Sequence, residues 1–276
     1  MTQASKIQNR DPLSLLWVAF FFAALVGLAV SGVLPLTYDE AWTFIEFTRH
    51  GAAYSASHYP LPNNHVAFSI LEALVVPERW VIANPLWVRL GNLIVLAVLL
   101  LLLRAMLLRH LALRGLALAA TVAALVLCSP LVTLYELLAR GYGLGTLLLL
   151  IAIEYGAMRE RRVTAAVSCA LAAWTVPTFA LAVPGVFLAM LWQGSRTHWM
   201  KTVQSAVLFV VLTLLLYSPI LGSVLGHSQA WNADSNPLAL LSGLSAGLGN
   251  LSQRTLAPWA GIAFLVLTLF ILTRAP

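Results

Sequence analysis

Charge is what this sequence lacks most. Asp, Glu, Lys and Arg make up 9% of its 276 residues, and 61% of the chain is hydrophobic. Soluble domains average about 25% charged residues. A mean hydropathy of +0.88 leaves more apolar surface than a soluble core can hide, so the composition implies an all-α polytopic membrane protein. Cysteine is scarce too. Cys128 and Cys169 both lie inside apolar runs, where they read as small buried hydrophobes and not as a disulfide or a thiolate metal site. Neither a Walker-type phosphate loop nor a G-x-G-x-x-G turn is present, so neither common cradle for nucleotide phosphates is available. No internal repeat, low-complexity tract or soluble domain interrupts the chain, and residues 1–276 read as a single transmembrane module. The net charge of +6 does not point to nucleic acid, because the basic residues cluster at the ends of apolar runs, as topology signals do.

What is there is a series of apolar runs. About 20 apolar residues span a bilayer as a helix. By that measure spans fall near 13–34, 86–108, 115–134, 138–157, 163–177, 178–193, 201–222 and 256–274, a bundle of about eight. The first is too long for the apolar region of a signal peptide and shows no small-residue cleavage site, so it reads as a retained helix. The run 163–193 is broken by Trp174-Thr175-Val176-Pro177 and by Pro184. Prolines interrupt helices, which suggests two short helices meeting near the outer leaflet. One long kinked helix is the alternative, and it would invert the sidedness of everything after it.

Charge orients these spans. Lys6, Arg10, Arg104, Arg109, Arg114, Arg159, Arg161, Arg162, Arg196, Lys201 and Arg274 collect on one side, which the positive-inside rule makes cytoplasmic, together with the N-terminus. Asp39, Glu40, Glu46, Glu72, Glu78, Glu136 and Asp234 then lie outside. Residues 35–85 form one long external loop and 223–255 a second. The segment 65–77 is apolar but short and contains Glu72, so it is expected as an amphipathic helix in the outer interface. Trp17, Trp80, Trp87, Trp192, Trp199 and Trp259 sit near span ends, as an aromatic belt would.

Four features converge on the outer face. They are Tyr38-Asp39-Glu40 after the first span, the segment from His58 and Tyr59 through Pro62, Asn63, Asn64 and His65, Arg89 at the start of the second span, and Glu136 with Ala139-Arg140-Gly141-Tyr142 at the fourth. Acids at a membrane boundary are costly and tend to have a task or a partner. This set suits sugar transfer from a phospholipid carrier. A carboxylate takes the proton of the attacking hydroxyl, and an arginine fork binds the phosphate that leaves.

These residues also carry a resemblance. The chain resembles the GT-C superfamily of membrane glycosyltransferases, closest to the branch that holds protein O-mannosyltransferases and the lipid A aminoarabinose transferase (glycosyltransferase family 39-like). In that branch an Asp-Glu pair opens the first external loop, as Asp39-Glu40 does. A proline-rich, histidine-containing motif follows, matched by Pro62-Asn63-Asn64-His65-Val66. An Arg-Leu helix start matches Arg89-Leu90-Gly91, with glycine where the family often has proline, and an A-R-x-Y motif matches Ala139-Arg140-Gly141-Tyr142. The order and spacing hold over roughly residues 13–190. The resemblance implies a helical bundle with interfacial helices in the first external loop and a polyprenyl-phosphate sugar as donor. It implies a lipid, glycan or protein acceptor and inversion at the sugar. Asp39 is then the catalytic base and Glu40 a supporting acid. Arg140 and Tyr142 hold the lipid phosphate, Asn64 and His65 line the donor site, and Arg89, Tyr38 and Tyr59 complete it. Some relatives use a divalent metal through separate acidic motifs; no such motif is evident here, and neither metal nor cofactor is expected. Relatives are usually longer and often carry an external C-terminal domain, so a compact or truncated form is expected. A phosphate-binding lysine of some relatives has no counterpart in the first loop, where Arg49, His50 or His58 are the substitutes. The implied location is a bacterial inner membrane with the active site outside.

Plainer readings of the same residues stand beside these. Asp39 and Glu40 suit the cap and first turn of a helix. Arg140 can pair with Glu136 one turn away, and Arg89 can anchor its helix by snorkelling. His110, His198 and His227 have no evident partners, and Asp234, beside Trp231, Asn232 and Asn236, is a candidate acceptor contact. A lipid or solute transporter would bury charge at mid-membrane, where the sequence offers only Glu154 near a cytoplasmic end. A non-catalytic subunit is the third reading.

Overall fold

The computed structural model describes residues 35–59, 64–76, 84, 86–110, 140–193 and 199–223. The expected spans 13–34, 115–134 and 256–274, the second external loop, Glu136 and Asp234 lie outside the described residues.

Every regular element among the described residues is helical. Three short helices come first: α1 (Tyr38–Glu46), α2 (Ala52–Ser57) and α3 (Val66–Val75). Longer ones follow: α4 (Leu86–His110), α5 (Tyr142–Ile151), α6 (Arg162–Thr175), α7 (Val183–Gln193) and α8 (Trp199–Tyr217). Helix α4, and α8 with its 3₁₀ extension to Ser223, are each 25 residues of apolar helix, long enough to cross a membrane. At 1.5 Å per residue each runs roughly 37 Å, against roughly 30 Å of hydrocarbon.

Side-chain pairs define two ends of the bundle. At one end Asn92 of α4 donates to the backbone of Arg140 before α5 (2.9 Å), and the Tyr217 hydroxyl of α8 donates to Ala173 O of α6 (2.8 Å). At the other, Arg109 and His110 of α4 meet Glu154 beyond α5, and Arg162 of α6 donates to Thr202 of α8 (3.5 Å). Helices α4, α5 and α8 therefore connect the same two levels that α6 connects, and α1–α3 sit over the first end.

The break in 163–193 falls where proline dictates. Val176, ahead of Pro177, is extended at φ −140° and ψ 117°, the region a pre-proline residue prefers. Helix α6 stops at Thr175, a 3₁₀ turn covers Pro177–Leu181, and α7 restarts with Pro184 in its first turn, where proline costs least. The pair of short helices is what forms. They pack closely: Ala165 and Cys169 of α6 and Val186, Phe187 and Met190 of α7 share one core with Ala152. Gly145 of α5 lies under the ring of Phe179, where a Cβ would come within 2.3 Å of a ring carbon.

Helix α3 forms within the expected segment 65–77, with Glu72 turned inward. It buries Phe68 and Glu72 together and leaves Leu74 and Val75 exposed. Arg89 does not snorkel, because its side chain is buried against α1.

Candidate functional site

The site begins with a helix start. Thr37 is the N-cap of α1. Its hydroxyl accepts from the Glu40 N–H (3.4 Å), and the Glu40 carboxylate accepts from the Thr37 N–H (2.9 Å). This reciprocal capping box follows from the Thr37-x-x-Glu40 spacing, which makes Thr37, not Asp39, the capping residue.

Glu40 has a second duty. Arg89 of α4 donates from Nε to Oε1 and from Nη2 to Oε2, both at 2.7 Å, and also donates to Pro35 O at 3.1 Å. The fork is bidentate and buried, the geometry that makes an Arg–carboxylate pair strong and directional. Both oxygens of Glu40 are engaged by protein donors, so Glu40 fixes α1 to α4.

Asp39 is the preceding residue, about 100° around the helix, and it points elsewhere. Its side chain is 57% exposed, and Oδ2 lies 3.0 Å from Nη1 of Arg140, itself buried. Tyr38 is exposed and stacks on Trp42 at 6.0 Å between ring centroids. The acidic dipeptide thus engages two arginines from the heads of two different helices. Arg140 forms an ion pair with Asp39; Glu136, the partner considered from sequence, lies outside the described residues.

His65 completes this corner. Its Nδ1 accepts from the Gly141 N–H at 2.7 Å, its ring meets Tyr142 edge-on at 5.0 Å, and its Nε2 is 3.4 Å from Nη2 of Arg140. Burial first, and the Arg140 charge second, push its pKa down to about 3, so the ring is neutral. A neutral imidazole that accepts at Nδ1 carries its proton at Nε2. The 3.4 Å approach then joins two donors and is no hydrogen bond between them. Two N–H groups converging in this way suit an anionic oxygen. Gly141 permits the corner: a Cβ there would lie 2.6 Å from Thr175 Cγ2 and 3.0 Å from His65 Cβ.

Asn64 and Tyr59 are placed differently. Asn64 is buried, donates to Ser55 O (3.1 Å) and His58 O (2.9 Å), and accepts from Ser69 (3.1 Å). It ties the loop to α2 and α3 instead of lining an open site. Tyr59 is buried against Val66 and Ile220, and burial raises its pKa.

Two residues emerge that the sequence reading did not place in the site. Asn92, one turn beyond Arg89, holds the Arg140 backbone; two polar residues three apart at the head of an apolar helix were the available signal. Glu72 is fully buried. Its Oε2 accepts from Thr48 Oγ1 at 2.8 Å, and its Oε1 has no hydrogen-bond partner among the described residues. Burial, with the nearby charge of Glu40 adding to it, pushes its pKa up to about 8. Its signal was an acid inside a short apolar run. Among the described residues no three His, Cys, Asp or Glu side chains are grouped to hold a metal ion. Comparison with known proteins adds no relative: no family model, no curated protein and no solved structure matches this chain.

Proposed function

We propose that this chain is a polytopic membrane glycosyltransferase that moves a sugar from a polyprenyl-phosphate carrier to a lipid, glycan or protein acceptor. The described helices occupy five of eight spans in this reading, the membrane is a bacterial inner membrane, and the α1–α3 end faces outward. The observation that carries the reading is an accessible carboxylate, Asp39, held 3.0 Å from a buried guanidinium, beside a neutral histidine whose N–H converges on the same place.

The chemistry follows from those three groups. In the resting protein Asp39 occupies Arg140. An incoming donor phosphate competes for that guanidinium and for the His65 Nε2–H, which releases Asp39 toward the acceptor. The acceptor hydroxyl gives its proton to Asp39 as its oxygen attacks the anomeric carbon. The bond from that carbon to the phosphate oxygen breaks, and the electron pair leaves with the polyprenyl phosphate, whose charge Arg140 and His65 stabilise. Glu40 supports the reaction from behind by fixing α1 through Arg89.

Asp39→Asn in the purified protein, assayed with a radiolabelled polyprenyl-phosphate sugar, is expected to lose transfer while keeping its helical circular dichroism. Near-normal turnover would overturn the role given to Asp39. A lipid transporter is the rival reading; it calls for charge at mid-membrane, whereas Glu154 is paired with Arg109, His110 and Arg159 at one end of the bundle. Translocation of labelled lipid without transfer would select it.

A further inference from the structure

The opposite end of the bundle holds a second charged cluster that the proposed reaction does not use. The chain passes from α5 into a π-helical stretch, Ala152–Ala157, a distortion found frequently at functional sites. It carries the fully buried Glu154. Three groups reach that carboxylate: Arg109 at the end of α4, His110 at 2.7 Å, and Arg159 at 2.9 Å. Arg159 and Arg161 both approach the Tyr155 ring, at 4.7 and 5.8 Å from its centroid.

The charge here is far from balanced. Arg104, Arg109, Arg159, Arg161, Arg162 and Lys201 stand at the ends of α4, α6 and α8, and the only carboxylates among the described residues there are Glu154 and the exposed Glu160. Glu154 fixes the cations more than it neutralises them. Arg109 keeps 47% of its side chain exposed while pinned at one edge. A guanidinium has five N–H donors, so Arg109 and Arg159 can serve a second anion without leaving the first.

The surface beside this cluster is apolar. Leu188, Leu191 and Trp192 of α7 and Trp199, Met200 and Val203 of α8 are all exposed. The Arg162–Thr202 bond brings the start of α8 against the basic turn. A ligand that fits both parts has an anionic head and an apolar tail.

We propose that this end of the bundle binds the phosphate of an anionic phospholipid, with the acyl chains along the exposed faces of α7 and α8. The site rests on the membrane reading of the chain but not on the donor chemistry, so a failed transfer assay leaves it standing. Juxtamembrane cations each contribute about 1 kcal/mol to anionic-lipid binding, or roughly fivefold in affinity.

The test uses the full chain in nanodiscs of phosphatidylcholine alone or mixed with phosphatidylglycerol. Thermal unfolding reports stabilisation, and native mass spectrometry of the detergent-released protein reports retained lipid. Phosphatidylglycerol is expected to raise the midpoint and to be retained over phosphatidylcholine. Arg161→Gln, which leaves the pairs of Glu154 intact, is expected to cut that retention about fivefold, and Arg161→Lys to keep most of it. Inorganic phosphate is expected to leave the midpoint unchanged. Equal retention of the two lipids overturns the proposal, as does wild-type retention in Arg161→Gln. Full stabilisation by inorganic phosphate replaces it with a site for the free ion. If Arg161→Gln fails to fold, Lys201→Gln, an exposed cation of the same end, gives the same discrimination in the same lipids.

Discussion

Glu72 offers the sharpest test of the α1–α3 corner, because replacing it should strengthen the protein. Its carboxyl is buried beside Thr48 in the turn after α1, holds one hydrogen bond, and has its pKa pushed from 4.5 up to about 8. The folded chain therefore keeps a proton that the unfolded chain releases once pH passes 4.5. Raising pH through this window favours the unfolded state. One pKa unit corresponds to 1.36 kcal/mol. At pH 7 the folded state is disfavoured by about 3 kcal/mol, and by about 5 kcal/mol once the pH exceeds 8; below 4.5 the penalty vanishes. Glutamine keeps the shape of the neutral acid, can still accept from Thr48, and does not titrate. Glu72→Gln is thus expected to match the wild type near pH 4.5 and to outlast it by about 3 kcal/mol at pH 7. Denaturant unfolding in detergent, followed by circular dichroism at several pH values, gives the difference between the two proteins directly, and other titrating groups cancel from it. A difference that stays flat with pH would refute the assignment of a buried, protonated Glu72. A glutamine variant weaker than wild type at pH 7 would show that the charged form is bound by groups absent from this account.

Two further outcomes follow from the same geometry. Arg89→Ala leaves Glu40 buried without its bidentate partner, and breaking such a pair costs about 3–5 kcal/mol; denaturant unfolding should show that loss, while the double variant Arg89→Met/Glu40→Leu should recover much of it. Gly145→Ala drives a methyl into the Phe179 ring and should destabilise by about 1–3 kcal/mol, as overpacked cores do; adding Phe179→Leu should relieve it, and an unchanged thermal midpoint in the single variant would contradict the close approach of α5 to the Pro177 turn.

Much of the helical framework could be read from the chain because it rests on local signals. The apolar runs at 86–108 and 201–222 are long enough to declare themselves, and Pro177 marks the place where α6 must stop. The site was legible as a set of residues but not as a set of pairings. Glu40 and Arg89 are 49 positions apart, and no local pattern announces which arginine an acid will meet. The capping box was legible, since Thr37-x-x-Glu40 is a fixed-spacing signal, yet the adjacent Asp39 drew the cap assignment instead. Asn64 looked like a ligand-binding side chain because amides bind sugars. They bind backbone equally well, and burial decides between the two. The inward turn of Glu72 depended on which face of α3 meets α1, a tertiary fact.

The acidic dipeptide carries a lesson about order as distinct from composition. Its two carboxylates have the same charge and nearly the same address, but a helix separates neighbours by about 100°, and that rotation divides their labour. Glu40 is spent on holding the helix to Arg89; Asp39 faces solvent and meets Arg140. Writing the same pair as Glu-Asp would preserve every bulk property of the segment. It would put the shorter arm where the reach to Arg89 and back to Thr37 is needed, and the longer, floppier one at the exposed position beside Arg140. The chain's scarce negative charge is therefore not interchangeable even between adjacent letters: helical phase, more than chemistry, has made one of them an internal rivet and turned the other to the surface.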